Sequence, residues 1–242
     1  MLSIKAIPST EGEKFGFCNI HPEAPQGNAL FIAPSNSGKT TLMVNLVLRR
    51  VFGIITSYET IHIISPTVFM DDNWEMVRPN KYKQVKLRCE GGRKVKSAEI
   101  IVHDDYDISI IEHILNVQDN KAANKRKRIL IILDDIADSI VQHPVLDRLF
   151  FRGRHSGVFC WISSQLYHRV PRGVRVNAPY YVFFRVNTNE VNRIADELAV
   201  ETKKGFIGLL NRATFEKFSF LTINAKRSGE GRYTKSFQPI SE

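Results

Sequence analysis

The sequence predicts an α/β fold, a three-layer α/β/α arrangement around a mostly parallel central sheet. Three observations predict it. Ile129-Leu130-Ile131-Ile132-Leu133 is a continuous apolar run, the pattern of a parallel strand buried on both faces. Runs of this kind alternate along the chain with stretches of helical period. Three of them end in polar segments (residues 35–41, Asp134-Asp135 and Gln165), which a parallel sheet would gather at the carboxyl ends of its strands, where ligands bind.

Taken in order, residues 1–27 hold Pro8, Pro22 and Pro25 and read as an N-terminal extension, with an edge strand possible at 15–20. Residues 28–33 form the first central strand, and 40–52, apolar on nearly every side, a helix buried against the sheet. A strand at 61–65 is closed by Pro66. Residues 68–97 show no period and carry many cations beside Trp74 and Tyr82. A strand at 98–103 precedes a helix marked by Ile108, Ile111, Ile114 and Leu115, and 119–128 is a basic connector. After 129–133 the pattern gives a helix over 139–151 with Pro144 in its first turns, strands at 158–163 and 180–186, and a helix over 190–200. Residues 217–224 and 233–237 read as a terminal hairpin around Ser228-Gly229-Glu230-Gly231. The expected organisation is an extension (1–27), one main domain (28–224) and a C-terminal hairpin or tail (225–242).

The 242 residues suit one large α/β domain, and a hydrophobic share of 43% is ordinary for a protein that buries a core. The formal charge of +9, from 34 Lys and Arg against 25 Asp and Glu, favours a polyanionic partner such as nucleic acid. Cys18, Cys89 and Cys160 are far apart and odd in number, which indicates neither a disulfide framework nor a zinc site. No apolar run approaches membrane-spanning length and residues 1–10 lack a signal-peptide core, so a soluble, intracellular protein is expected.

The chemistry begins at residues 30–41, where an apolar run ends in a small polar loop and Gly38-Lys39-Thr40 opens a helix. This is the strand–loop–helix context of a phosphate-binding loop. Backbone N–H groups from Asn36 to Thr40 can curl around a phosphate, helped by the positive end of the following helix. Lys39 would reach the β- and γ-phosphates and the Thr40 hydroxyl would bind Mg²⁺. The full motif has glycine where this chain has Ala33, a position that touches no phosphate. Asp134, at the end of its strand, can hold Mg²⁺, and Asp135 can orient or deprotonate an attacking water. Gln165 can hydrogen-bond the γ-phosphate or that water. Hydrolysis also needs positive charge on the transferring phosphoryl group, often an arginine from a neighbouring subunit; Arg152, Arg154, Arg172 and Arg175 are the candidates.

These segments, with Phe151-Arg152-Gly153-Arg154-His155-Ser156-Gly157, Ile162-Ser163-Ser164-Gln165 and Val174-Arg175-Val176-Asn177, occur in the order seen in viral genome-packaging ATPases. Over about residues 28–224 the chain resembles those of poxviruses, other large DNA viruses and virophages, within the FtsK–HerA superfamily of DNA translocases. The resemblance implies a P-loop NTPase of the RecA-like, ASCE type. It implies ATP and Mg²⁺ as ligands, with Pro34, Ser35, Asn36, Ser37, Gly38, Lys39, Thr40 and Thr41 around the phosphates. It further implies a pentameric or hexameric ring that drives double-stranded DNA into a preformed capsid, in the host cytoplasm or a viral factory, with a capsid or portal protein as partner. Arg154 becomes the first choice for the trans-acting arginine, with Arg152 and Arg175 in reserve. Cellular translocases usually carry Glu where this chain has Asp135, which is closer to the viral branch. Two other functions remain open from the residues: a plasmid or cellular DNA transfer or segregation motor, and a nucleotide-switched DNA-binding adaptor with little turnover. A sequence-independent motor should grip phosphates rather than bases, and the basic clusters at 81–96, 121–128 and Lys226-Arg227 suit that.

Overall fold

Apolar runs bounded by polar turns become the strands β1 (Ala29–Ile32), β2 (Thr60–Ile64), β3 (Glu99–His103), β4 (Ile129–Leu133), β5 (Val158–Ser164), β6 (Tyr180–Phe183), β7 (Leu221–Asn224), β8 (Tyr233–Lys235) and β9 (Gln238–Pro239). They are seen in a computed structural model that describes residues 27–47, 58–75, 77, 98–135, 143–200, 202–229 and 231–240. The expected edge strand at 15–20, the basic cluster at 81–96, Cys18 and Cys89 lie outside the described residues.

The strands form one sheet in the order β3-β2-β4-β5-β1-β6-β7-β8-β9. From β3 to β6 all neighbours are parallel; β7, β8 and β9 are antiparallel additions at the far side. β5 therefore stands between the loop-bearing strand β1 and the acidic strand β4, the order expected of an ASCE-type sheet. Every residue of β1 and β4 is buried, as their unbroken apolar runs require.

The helices are α1 (Lys39–Val47), α2 (Asp72–Glu75), α3 (Ile108–Asp119), α4 (Pro144–Arg152), α5 (Arg172–Asn177), α6 (Thr188–Leu198) and α7 (Lys203–Ala213). Alternate strand residues feed two cores. Leu30, Ile32, Ile131, Leu133 and Ile162 pack under α3, α4, α6 and α7, while Phe31, Leu130, Ile132 and Trp161 pack under α1 and α2. That is the three-layer arrangement.

Local chemistry fixes the helix starts. The Asp107 side chain accepts from the Ser109 amide at the head of α3, Pro144 occupies the first turn of α4, and Asn187 and Thr202 cap α6 and α7. The helix expected over 139–151 starts at Pro144; residues 136–142 lie outside the described residues. α5 and α7 were not expected from the sequence. Gly205 and Gly208 weaken the helical signal of α7 by about 1 kcal/mol each, and burial of Phe206, Leu210 and Ala213 along one stripe compensates.

Candidate active site

The parallel strands place their carboxyl ends on one rim, and a cavity of about 550 Å³ opens there. Its lining includes all eight residues from Pro34 to Thr41, together with Asp134, Asp135 and Gln165. Residues 94 positions or more apart in sequence thus share one cleft because β1, β4 and β5 are packed side by side.

The loop takes its shape from two left-handed residues, Asn36 at φ 61° and Gly38 at φ 89°. Asparagine tolerates that region better than most side chains, and glycine enters it freely. Gly38 then accepts from the Leu42 amide and starts α1. The Thr41 hydroxyl donates to Asn73 Oδ1 at 2.9 Å, which ties the loop end to α2.

Asp134 is almost wholly buried, and burial raises its pKa above the ordinary carboxylate value. The Lys39 ammonium, the Ser163 hydroxyl and the Trp74 indole N–H oppose that rise. Trp74 Nε1 donates to Asp134 Oδ2 at 2.9 Å, the Thr40 hydroxyl donates to the same oxygen at 3.2 Å, and the Ser163 hydroxyl donates to Oδ1. A hydroxyl and a carboxylate that share one polar corner fit a hard cation such as Mg²⁺, which takes one or two protein oxygens and completes its shell from phosphates and water. Among the described residues no group of three or more His, Cys, Asp or Glu could hold a metal, so the cation would depend on Thr40, Asp134 and the bound nucleotide.

Asp135 is the solvent-facing carboxylate of the pair. Its backbone is left-handed (φ 55°), its amide donates to Ser163 Oγ at 3.1 Å, and its Oδ1 accepts from Gln165 Nε2 at 3.2 Å. The same oxygen stands 3.8 Å from Lys39 Nζ. A non-glycine residue held at positive φ costs of order 1 kcal/mol, a strain that recurs where a side chain must be aimed.

Sequence reasoning missed several residues. Trp74, Asn73, Ser163 and the cavity-lining Phe218 all touch the site. Glu190 is a buried carboxylate on α6 whose Oε2 accepts from the Tyr167 amide at 2.6 Å and whose Oε1 lies 2.7 Å from His168 Nδ1. It anchors the chain two residues beyond Gln165. Only Glu190's place on the apolar side of α6, next to Val191 and Ile194, could have hinted that it is buried.

The candidate arginines lie elsewhere. Arg152 ends α4 and Arg154 follows it, both exposed and just before β5 begins at Val158. That is the amino-terminal rim of the sheet, about 20 Å from the chain's own loop by the length of a seven-residue strand. Arg175 donates to both Glu197 oxygens at 3.0 and 2.6 Å and to the His168 and Val170 carbonyls at 3.1 and 2.7 Å, and it stacks over Tyr167. Its guanidinium is engaged within its own subunit.

The basic segments are also sorted. In the 121–128 connector Arg126 donates to the Gln118, Lys121 and His155 carbonyls, and Arg128 lies over the rings of Tyr58 and Phe159. Lys125 and Lys127 are exposed. Lys226 and Arg227 follow the end of β7, which pairs with the start of β6, so both described clusters share the amino-terminal rim with Arg152 and Arg154. Among the described residues no helix is long and apolar enough to cross a membrane.

Comparison with known proteins agrees with this architecture. Residues 24–223 match the profile of the family described as Poxvirus A32 protein. A search of the curated proteins finds no significant match. Among solved structures, B204, the DNA-packaging ATPase from Sulfolobus turreted icosahedral virus, superimposes with a TM-score of 0.60 at 15% identity, covering 92% of this chain and 100% of that one. The genome-packaging NTPase B204 of Sulfolobus turreted icosahedral virus 2, in complex with sulfate, gives 0.59 at 16% identity and 90% and 98% coverage. The pCW3 conjugation coupling protein TcpA gives 0.53 at 14% identity, covering 88% of this chain and 60% of that one. At these identities the solved structures share the fold.

Proposed function

The chain belongs to the poxvirus A32 protein family, and from that premise we propose that it is the ATP-hydrolysing motor that drives double-stranded DNA into a viral capsid. The observation that carries the reading is the convergence of Lys39, Thr40, Asp134, Asp135 and Gln165 on one cleft at the carboxyl rim of the sheet.

The residues divide the work by position. Backbone amides of 36–40 and the Lys39 ammonium would hold the phosphates, the amides contributing the helix's positive end. Thr40 and Asp134 would hold Mg²⁺, which when bound supplies charge neutralisation at the β- and γ-oxygens. Asp135, free to face solvent, would take the proton of the attacking water. The Gln165 amide, in contact with Asp135, would fix where that water stands. Lys39 serves phosphate and Asp135 alike, so nucleotide arrival changes the setting of the base through one cation.

DNA binding is supported by the net charge of +9 and by Lys125, Lys127, Lys226 and Arg227, which share the rim opposite the cleft. Such contacts read no bases, which suits a partner of arbitrary sequence. A ring of identical subunits is the assembly in which an Arg154 of one copy would meet the cleft of the next, and a capsid or portal protein is the partner such a ring would need.

Phosphate release, measured with and without duplex DNA, tests the reading. Wild-type chain should turn ATP over faster with DNA, and the stimulation should fall steeply with salt. Lys39→Ala should lose at least about a hundredfold in turnover, as expected when a preorganised phosphate donor is removed. Asp135→Asn should keep ATP binding while hydrolysis is lost. Equal turnover in wild type and Asp135→Asn would sink the assignment.

A further inference from the structure

We propose that Phe218 is the platform on which the nucleotide's base stacks, so that the site recognises a base by its aromatic face. This deepens the nucleotide reading above and rests on it.

Polarity of the cleft places the base. Asp134, Asp135 and Gln165 stand at the ends of β4 and β5, on one side of β1. A triphosphate whose terminal phosphate faces those groups runs back along the loop, and its sugar and base leave on the other side, toward β6 and β7. Phe218 occupies that flank, three residues before β7 begins at Leu221. It lines the cavity, is 47% exposed, and its ring edge would lie 3.2 Å from a Cβ added to Gly38. The ring therefore abuts the phosphate loop itself.

The backbone under Phe218 points the same way. The Ser219 amide donates to the Glu216 carbonyl at 3.1 Å, which closes a four-residue turn with Phe218 at its third position and φ at 65°. A turn with positive φ at that position favours glycine, and a bulky aromatic is among the least suited residues. The turn is held from both ends. Glu216 pairs with Lys235 at 3.1 Å, and buried Phe220 packs on Phe184 and Phe237. Lys217 stands 4.9 Å from the centre of the Phe218 ring. An exposed aromatic ring, held at the mouth of the cleft on backbone that disfavours it, makes no sense as core packing. It makes sense as a contact surface for a flat, apolar ligand face. Every nucleobase has such a face, so ATP and GTP should gain alike.

The test separates the base from the phosphates. Isothermal titration with Mg-ATP, Mg-GTP and magnesium tripolyphosphate should be run on wild type, Phe218→Gly and Phe218→Trp. Glycine suits the turn, so Phe218→Gly should fold with an equal or higher thermal midpoint. It should bind ATP and GTP about five- to tenfold more weakly, the lower part of what one stacking contact contributes, while tripolyphosphate affinity stays within twofold of wild type. Phe218→Trp should keep both. Equal weakening of ATP and tripolyphosphate would make Phe218 a prop for the loop and overturn the proposal, as would an unchanged ATP affinity. Failure of wild type to bind either ligand would instead overturn the nucleotide reading, and this proposal with it.

Discussion

The Asp134 carboxylate sits where burial alone would favour the protonated acid. Three neighbours lean the other way, and one of them, the Trp74 indole N–H at 2.9 Å, can be removed while an aromatic ring is kept at the position. A hydrogen bond to a charged group contributes about 1.5–3 kcal/mol, so its loss should shift Asp134 further toward protonation. Trp74→Phe should therefore bind ATP normally without metal but require roughly tenfold more Mg²⁺ for half-maximal turnover, as outer-shell partners of metal ligands do. The deficit should be larger at pH 6 than at pH 8, because protons compete more effectively for the weakened carboxylate. A Mg²⁺ titration at both pH values checks it; a pH-independent deficit would mean that Trp74 acts through packing alone. Lys39, Thr40, Asp134 and Asp135 were readable in the sequence because each belongs to a short contiguous pattern whose spacing is set by a loop or a strand end. Trp74 and Phe218 were not, because they reach the cleft from a stretch with no period and from a turn, and only the folded sheet brings them there.

At the scale of elements, the β2–β3 edge carries a paired-histidine device of its own. His62 and His103 stack with ring centres 5.4 Å apart, and His62 Nδ1 lies 3.1 Å from His103 Nε2. Burial first, and then the His103 neighbour, lower the His62 pKa to about 4; burial also lowers that of His103. Both rings are thus neutral in the fold across a range in which an unfolded histidine takes up a proton. Where the unfolded state binds more protons, stability rises with pH, so it should fall as pH drops from about 6.5 toward 4. For His62 the loss between pH 7 and pH 4 is about 3 kcal/mol. Urea unfolding at several pH values should show that slope, and His62→Gln should flatten it. The sequence foretold these strands closely: β4 occupies the very residues of its apolar run, because charged Arg128 and Asp134 bound the run on both sides and leave the ends of a fully buried strand no other place. It did not foretell α7, where two glycines dilute the local signal and tertiary burial decides.

At the scale of the molecule, the described residues divide between two rims of the sheet. The carboxyl rim holds the cleft; the amino rim presents Arg152, Arg154 and the exposed lysines of the connector. A sheet separates them, so Arg154 is out of reach of its own cleft by about the length of a strand. If it stabilises a phosphoryl group at all, it does so in the cleft of another copy, which makes the contact heterologous and suits a closed ring. Arg154→Ala alone should lose most of its turnover, since an arginine supplied from a neighbour can contribute a factor of 10³–10⁵. Asp135→Asn should be equally inactive for a different reason. Mixed, the two variants form some interfaces that join an intact cleft to an intact Arg154, and activity should return, rising to a maximum at intermediate ratios. Arg175→Ala, whose guanidinium is engaged by Glu197 in its own chain, should instead lower thermal stability and give no rescue pattern. Absence of recovery at every ratio, in samples that light scattering shows to be co-assembled, would remove Arg154 from the shared site and leave the two rims functionally unconnected.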